Sequence, residues 1–329
     1  MGEHTGGERG RFRDTGLFLL ALTVWLAAEL AVSYFLPQGL DSTTALLISL
    51  GFELMLFVPA IVFIMVKRIP VSSLFGRATA AQVVSAAFLG MLILPVSIAL
   101  SAVSASIVTL TGGKINPEGI ACVTPVQYLL YYVMVGIAAP IVEEPMFRGI
   151  VLNGQAKTVR CGVALGLTGL SFTLLHGNLM GFASILTVGV IITFLAWHSG
   201  SIWPSIAMHM SYNSMIFLQY VLSRTILGRL EVPAEAVIPP LPVPIAEQQA
   251  GLVLGSVIWC FIAVPFAAAA GVILWSYWKH TPGFLRPKPA APTVRLGFSQ
   301  TWPWFAAFLL LAAYLAFDVL QIYGIMSIS

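Results

Sequence analysis

Charged side chains are scarce in this chain. Lys, Arg, Asp and Glu make up 9% of the 329 residues, whereas soluble domains average about 25%. Hydrophobic residues make up 58%, and the mean hydropathy is +0.93. Such a composition leaves too little polar surface for a soluble fold, so we expect an integral membrane protein embedded in a lipid bilayer.

Cysteine and basic clusters are also scarce. Cys122, Cys161 and Cys260 show neither CxxC nor Cys/His ligand spacing, which argues against a disulfide framework or a zinc–cysteine site. The formal net charge is only +3, and no basic patch is interleaved with aromatic residues. Nucleic acid is therefore not an expected partner.

Long apolar runs are abundant instead. About 20 apolar residues suffice for a helix that crosses a bilayer. The stretches that meet this rule lie near 16–36, 44–66, 80–104, 127–153, 162–178, 181–197, 202–221, 251–278 and 302–325. The predicted fold class is all-α, a polytopic transmembrane helical bundle of about eight to nine spans.

The distribution of Lys and Arg predicts the orientation. If the N-terminus is cytoplasmic, thirteen of the 16 basic residues fall on the cytoplasmic side, and only Lys114, Arg224 and Arg229 fall outside. Cytoplasmic loops of membrane proteins carry such an excess. We therefore predict a cytoplasmic N-terminus and a multi-pass protein of the cell membrane.

Ionisable residues inside the predicted spans need a reason, because a charge near the bilayer centre costs about 2.5–3.5 kcal/mol on insertion scales. Those residues are Glu29, Glu53, Glu143, Glu144, Arg148, His176, His209 and Asp318, with His198 at a helix end. One interpretation of the Glu143–Arg148 stretch is a solvated helix end with an i,i+4 ion pair between Glu144 and Arg148. The apolar residues that follow favour a helix that continues within the membrane.

Helix geometry predicts that distant residues meet at one depth. Glu143 and His176 lie symmetrically about the polar turn at 157–161, so an antiparallel hairpin places them level with each other. His209 follows the turn at Gly200 by about 13 Å of helix. We expect all three in one layer, open to the cytoplasm.

Two prolines lie beside the acidic pair. Pro140 and Pro145 have no N–H to donate, so we expect a kinked helix in which the carbonyls of Gly136 and Ile141 are free. Downstream, Phe172 and His176 are spaced i,i+4, as are His209 and Asn213, so each pair projects from a single helix face.

Three motifs now carry a resemblance. Glu143–Arg148 matches EExxxR, Phe172–His176 matches FxxxH, and His209–Asn213 matches HxxxN. In this order and helical context they resemble the CPBP family of CAAX proteases and bacteriocin-processing enzymes, which includes the type II prenyl endopeptidase. The resemblance covers roughly residues 125–220.

The resemblance implies a glutamate-dependent intramembrane endopeptidase that cleaves a membrane-bound protein or peptide. Glu143 would be the general base that activates a water together with His176. His209 and Asn213 would stabilise the oxyanion.

The remaining motif residues would support the site. Glu144 and Arg148 would orient it, and Phe172 would pack against it. No Ser, Cys or Thr of the motifs is placed as a nucleophile, so attack by water is favoured over an acyl-enzyme.

No cofactor is expected. Zinc held by two histidines and a glutamate is the alternative, but HExxH is absent and the ligands would come from separate helices. Zinc is therefore disfavoured, although either reading describes peptide hydrolysis.

Two further classes remain open. A non-catalytic membrane scaffold or bacteriocin self-immunity protein could carry the same motifs. A proton-coupled transporter could explain the acids at 29, 53 and 318, but no inverted repeat is visible in the sequence.

The predicted organisation is a series of five segments. They are a cytoplasmic N-terminal tail at 1–15, N-terminal transmembrane helices at 16–110, a CPBP-like catalytic helical core at 125–221, an extracytoplasmic Pro-rich loop at 222–250, and C-terminal transmembrane helices at 251–329 with a basic Pro-rich cytoplasmic linker at 279–300. Within the core, Gly162 and Gly166 form a GxxxG pattern that predicts close helix packing.

Overall fold

The computed structural model describes residues 2–37, 39–115, 122–156, 158–230, 245–280 and 296–325, and within these ranges it contains helices and no strand. The helices are α1 (Gly2–Tyr34), α2 (Ser42–Lys67), α3 (Val71–Phe75), α4 (Ala80–Leu110), α5 (Pro125–Gln155), α6 (Cys161–Leu175), α7 (Phe182–Ser199), α8 (Trp203–Leu230), α9 (Ile245–His280) and α10 (Phe298–Ile322). The predicted all-α bundle is confirmed.

Seven helices of the described chain are long and apolar enough to cross a membrane. They are α1, α2, α4, α5, α7, α9 and α10. Of the other two predicted spans, α6 has only 15 residues, and α8 is long but is not among the seven. The count of eight to nine spans and the cytoplasmic N-terminus stay predictions.

The helices extend into segments that we expected to be tails or loops. Helix α1 begins at Gly2, and α8 continues to Leu230 because no proline interrupts residues 205–232. The predicted loop at 222–250 is therefore helical at both ends, and 231–244 lies outside the described residues. The same holds for the 279–300 linker, of which 281–295 lies outside them.

Helix α5 is irregular on both sides of the acidic pair. Residues Val133–Ala138 and Pro145–Leu152 are π-helical, and the α-helical turn Ala139–Glu144 lies between them. The N–H of Ala139 donates to the carbonyl of Met134, five residues back. Such π-helical segments widen a helix locally and are frequent at functional sites.

The other helices pack around α5. Helix α4 packs against α8 and α9, α1 packs against α10, and α6 packs against α7, while α5 contacts α2, α6 and α8. The largest cluster of buried apolar residues surrounds the second half of α5 and includes Val142, Met146, Phe147 and Ile150. The acidic pair therefore lies in the protein core.

The GxxxG prediction is wrong. A Cβ added to Gly162 or Gly166 would meet no described atom within 4 Å. Gly169, one turn later, makes the close approach instead, since its Cβ would lie 2.7 Å from Val190 of α7. The glycine spacing identified a helix that packs closely, but not the residue that makes the contact.

Candidate active site

The carboxylates of α5 are buried. The exposed fraction is 6% for Glu143, 0% for Glu144 and 1% for Arg148. The interpretation as a solvated helix end is therefore wrong. A buried charge needs a partner to offset its lost hydration, and the partners of these three residues define the geometry of the site.

Arg148 is held by three groups. Its Nη1 donates to Glu144 Oε1 at 2.9 Å, Nη2 donates to the carbonyl of Gly189 at 2.8 Å, and Nε donates to the Thr193 hydroxyl at 3.3 Å. The guanidinium also lies 4.6 Å from the centre of the Phe172 ring, a cation–π distance. Arg148 thus fixes Glu144 of α5 relative to α7.

Sequence reasoning missed Gly189 and Thr193, because neither residue belongs to the three motifs. Their i,i+4 spacing on α7 is the only signal in the sequence. Thr193 also donates to the Gly189 carbonyl at 2.6 Å, so the two acceptors for Arg148 are held together.

His209 bonds to the second carboxylate of the motif. Its Nδ1 lies 2.8 Å from Glu144 Oε1, the same oxygen that accepts from Arg148. We assign Nδ1 as the donor, because an oxygen that already accepts from a guanidinium behaves as a carboxylate. Nε2 of His209 then faces Glu143 Oε2 at 3.9 Å.

His176 follows the last residue of α6 and approaches Glu143 from the other side. Its Nδ1 lies 2.8 Å from the carbonyl of Phe172. Since a carbonyl only accepts, Nδ1 carries the proton, and Nε2 of the neutral ring is an acceptor. This Nε2 lies 4.0 Å from Glu143 Oε1, so Glu143 and His176 meet as the hairpin symmetry predicts.

Asn213 binds a backbone group of α5. Its Nδ2 donates to the carbonyl of Val135 at 2.8 Å. We expected a free carbonyl at Gly136, four residues before Pro140. In the π-helical register the acceptor lies five residues back, which is Val135, and Pro140 has no N–H to offer it. The side-chain amide of Asn213 donates to the Val135 carbonyl in place of the missing backbone N–H.

Phe172 packs among the charged residues. Its ring centre lies 4.7 Å from that of His176, 5.8 Å from that of His209 and 5.2 Å from that of Phe147. Phe172 is only 2% exposed. It contacts both imidazoles and the Arg148 guanidinium, and so it packs against the ring positions on both sides of Glu143.

Two of the intramembrane acids outside the motifs, Glu29 and Asp318, have other partners. Glu29 accepts from the Trp25 indole at 2.6 Å, and Asp318 accepts from the backbone N–H of Leu179 at 2.7 Å. Asp318 therefore anchors the turn that follows His176. Glu53 has one buried oxygen without a hydrogen-bond partner among the described residues and lies within electrostatic range of Glu143.

A cavity of about 760 Å³ lies beside the site, between α3, the end of α5 and the turn that joins α7 to α8. Arg148 lines its inner part. Two glycines that line this cavity, Gly76 and Gly200, are in close contact. A Cβ at Gly76 would lie 2.1 Å from the carbonyl oxygen of Gly200. Gly76 has a φ of +63° and Gly200 one of +68°, which favours glycine at both positions.

Comparison with known proteins places this region in a family. The model described as Rce1-like, type II CAAX prenyl endopeptidase Rce1-like, matches residues 125–215. This region is therefore similar to the CAAX protease family. The predicted family is confirmed, and the matched region, under a third of the chain, contains all seven predicted site residues. No curated protein and no solved structure matches the chain.

The Rce1-like region lies within a set of apolar helices. Seven helices in the described part of the chain are long and apolar enough to cross a bilayer. Together with the family match, they indicate an integral, multi-pass membrane protein.

Proposed function

We propose that the protein is an intramembrane endopeptidase that hydrolyses a peptide bond of a membrane-associated protein or peptide. Glu143 and His176 activate a water, and His209 and Asn213 stabilise the oxyanion. The observation that carries this proposal is the position of Glu143 between two imidazole Nε2 atoms, at 4.0 Å from His176 and 3.9 Å from His209.

The gap between Glu143 and His176 suits one water. With hydrogen bonds of about 2.8 Å, a water contacts both atoms across the 4.0 Å between them at an angle of roughly 90°. Both Glu143 Oε1 and the unprotonated Nε2 of His176 are acceptors, so the water directs its two hydrogens to them and its lone pairs away. This orientation presents the water oxygen as a nucleophile.

The oxyanion that forms from the substrate carbonyl needs hydrogen-bond donors on the side opposite the attacking water. Asn213 gives one amide hydrogen to Val135 and keeps the second. His209 donates through Nε2 only as an imidazolium, because Nδ1 already donates to Glu144. With His209 in that form, the negative charges of Glu143 and Glu144 are balanced by the positive charges of Arg148 and His209. Removing one oxyanion donor typically costs about 10²–10³ in turnover.

The steps of the reaction balance. The water oxygen bonds to the carbonyl carbon while its proton passes to Glu143. The C–N bond then breaks, and Glu143 returns the proton to the leaving amine. The products are a carboxylic acid and an amine, which become a carboxylate and an ammonium by proton transfer, and the enzyme is restored without a covalent intermediate.

We propose that this chemistry needs no metal. Within the described residues, no group of three or more His, Cys, Asp and Glu has metal-binding spacing. Activity should therefore survive strong chelation of the purified protein.

We also propose that the site opens to the cytoplasm and that the protein lies in the cell membrane. The cavity beside Arg148 lies at the end of the bundle that carries Arg77 and residues 158–161. These are segments of the basic, predicted cytoplasmic side. A substrate anchored in the membrane can reach this end without crossing the bilayer.

Cleavage of peptide substrates by the purified, reconstituted protein tests the proposal. Glu143→Gln, His176→Ala and His209→Ala should each abolish turnover. Matched controls are Glu29→Gln, a second intramembrane glutamate, and His198→Ala. His198 Nδ1 lies 3.0 Å from the carbonyl of Phe194, an i,i+4 contact like that of His176.

The outcome separates a protease from a scaffold. Comparing membrane proteomes of cells with wild type and Glu143→Gln should reveal a peptide that accumulates uncut in the variant. If Glu143→Gln complements a deletion as well as the wild type does, the protein acts as a scaffold or self-immunity protein, and the endopeptidase proposal is wrong.

A further inference from the structure

A groove of about 380 Å³ lies between α1 and the second half of α2, away from the candidate active site. Leu17 to Trp25 of α1 and Val58 to Val66 of α2 supply its apolar walls, and Asp14 and Lys67 close one end. Phe18 forms the floor and contacts Phe63, with ring centres 5.1 Å apart.

The sequence explains why the groove is open. Helix α2 breaks between Met55 and Val58, since Pro59 has no N–H for the carbonyl of Met55. The second half of α2 then runs as a separate segment beside α1. Val62 and Val66 are exposed along it, at 52% and 72%, so the groove is open to the surrounding membrane.

The length of the groove matches the hydrocarbon thickness of one bilayer leaflet. From Lys67 to Val58 the helix rises about 14 Å, and from Asp14 to Trp25 it rises about 16 Å. Half of the hydrocarbon thickness of a bilayer is about 15 Å. The groove therefore runs from a charged boundary to about the membrane midplane, which is the path of one acyl chain.

The mouth of the groove is cationic. Lys67 Nζ lies 2.7 Å from Asp14 Oδ2, and Arg13 lies 3.8 Å from Asp14 Oδ1. Arg68 follows Lys67 and is exposed. Asp14 thus pairs with two cations, Arg68 follows in the sequence as a third basic residue, and Lys67 keeps two N–H donors beyond its bond to Asp14.

We propose that this groove binds one acyl chain of an anionic phospholipid, with the lipid phosphate on Lys67 and Arg13. The apolar walls take the chain, and the excess positive charge selects the head group. Basic pockets between transmembrane helices bind acidic head groups in this way. Asp14 holds the Lys67 ammonium at the mouth.

Native mass spectrometry of the full-length protein tests this. The protein is incubated with equal amounts of phosphatidylglycerol and phosphatidylcholine of identical acyl chains, and retained lipids are counted. We expect preferential retention of phosphatidylglycerol. Lys67→Gln should lower that preference about fivefold, since one cation near the surface contributes about 1 kcal/mol.

Three variants separate lipid binding from ion-pair loss. Asp14→Asn breaks the same ion pair as Lys67→Gln but leaves the mouth more positive, so it should keep or raise the preference. Ala21→Trp fills the groove and should abolish retention of both lipids. Lys279→Gln, an exposed interfacial lysine of α9, should change nothing.

Two results would overturn the proposal. One is equal retention of both lipids by the wild type. The other is the same loss in Asp14→Asn as in Lys67→Gln, which would show that only the ion pair matters. Neither result depends on peptidase activity, so the inference and the proposed function fail separately.

Discussion

At the scale of single residues, the site depends on how buried charges are partnered. Arg148 is fully buried, yet its bonds to Glu144, Gly189 and Thr193 replace its hydration. Removing one partner of a buried pair typically costs about 3–5 kcal/mol, because an uncompensated charge remains. The geometry of Glu144, and through it that of His209, therefore depends on the fork of one guanidinium.

Replacing Arg148 by lysine tests this dependence. Lysine keeps the charge but is a point donor without the planar fork, so it cannot bind all three groups. We expect turnover to fall at least about tenfold, which corresponds to about 1.4 kcal/mol. Arg77→Lys at the exposed rim of the cavity is the control and should keep full turnover. Unchanged turnover in Arg148→Lys would show that Glu144 is positioned by other contacts.

Residue patterns alone also leave an ambiguity. The chain contains a second FxxxH at Phe194–His198, with a similar bond from the histidine ring to the phenylalanine carbonyl. The histidine of the pair at Phe172–His176 approaches Glu143, with its Nε2 4.0 Å from Glu143 Oε1. The hairpin symmetry about 157–161 favours His176, whereas the motif by itself fits both histidines.

At the scale of elements, the irregularity of α5 creates the acceptor for Asn213. Replacing Pro140 by alanine restores an N–H at this position, which competes with Asn213 for the carbonyl of Val135. Proline in a helix interior costs about 3 kcal/mol, so we expect Pro140→Ala to raise thermal stability while turnover falls.

Pro95, inside α4, provides the matched control for this change. Pro95→Ala should also raise stability, and turnover should stay unchanged. If Pro140→Ala cleaves peptides as fast as the wild type does, the bond between Asn213 and Val135 is not needed for catalysis.

The contact between α6 and α7 gives a second prediction at this scale. A Cβ at Gly189 would lie 3.0 Å from the Phe172 ring, which packs against both imidazoles. We expect Gly189→Ala to lower both stability, by about 1–3 kcal/mol, and turnover.

Gly166→Ala is the control, since its Cβ meets no described atom within 4 Å. Alanine there should stabilise the helix by up to about 1 kcal/mol and leave turnover intact. Equal effects of the two substitutions on thermal unfolding would argue against tight packing at Gly189.

At the scale of the whole molecule, the orientation decides which side the site faces. Pro37 lies between α1 and α2, and Ser72 lies between α2 and α4. If the N-terminus is cytoplasmic, a cysteine at Pro37 reacts with a membrane-impermeant maleimide on intact cells. A cysteine at Ser72 should react only after permeabilisation.

This measurement requires a background in which Cys122, Cys161 and Cys260 are replaced by serine. The reverse labelling pattern would place the N-terminus and the candidate site on the outer side. Equal labelling of both positions on intact cells would show that α2 does not cross the membrane.

The sequence alone determined the class of the molecule and predicted the residues of its candidate site. Apolar runs of about 20 residues fix membrane insertion because an unsatisfied backbone is too costly in lipid. The i,i+4 spacings fix which side chains share a helix face. Motif order then predicted seven candidate site residues, all of which lie in the matched region.

The tertiary structure decided what spacing along one helix cannot encode. Gly189 and Thr193 accept hydrogen bonds from Arg148, and Val135 accepts one from Asn213. Gly169, rather than Gly162 or Gly166, is the glycine at which two helices approach closely. Each of these contacts joins separate helices, and their register depends on the packing of the whole bundle. Local periodicity carries no information about that register, because it reports only the face on which a residue lies.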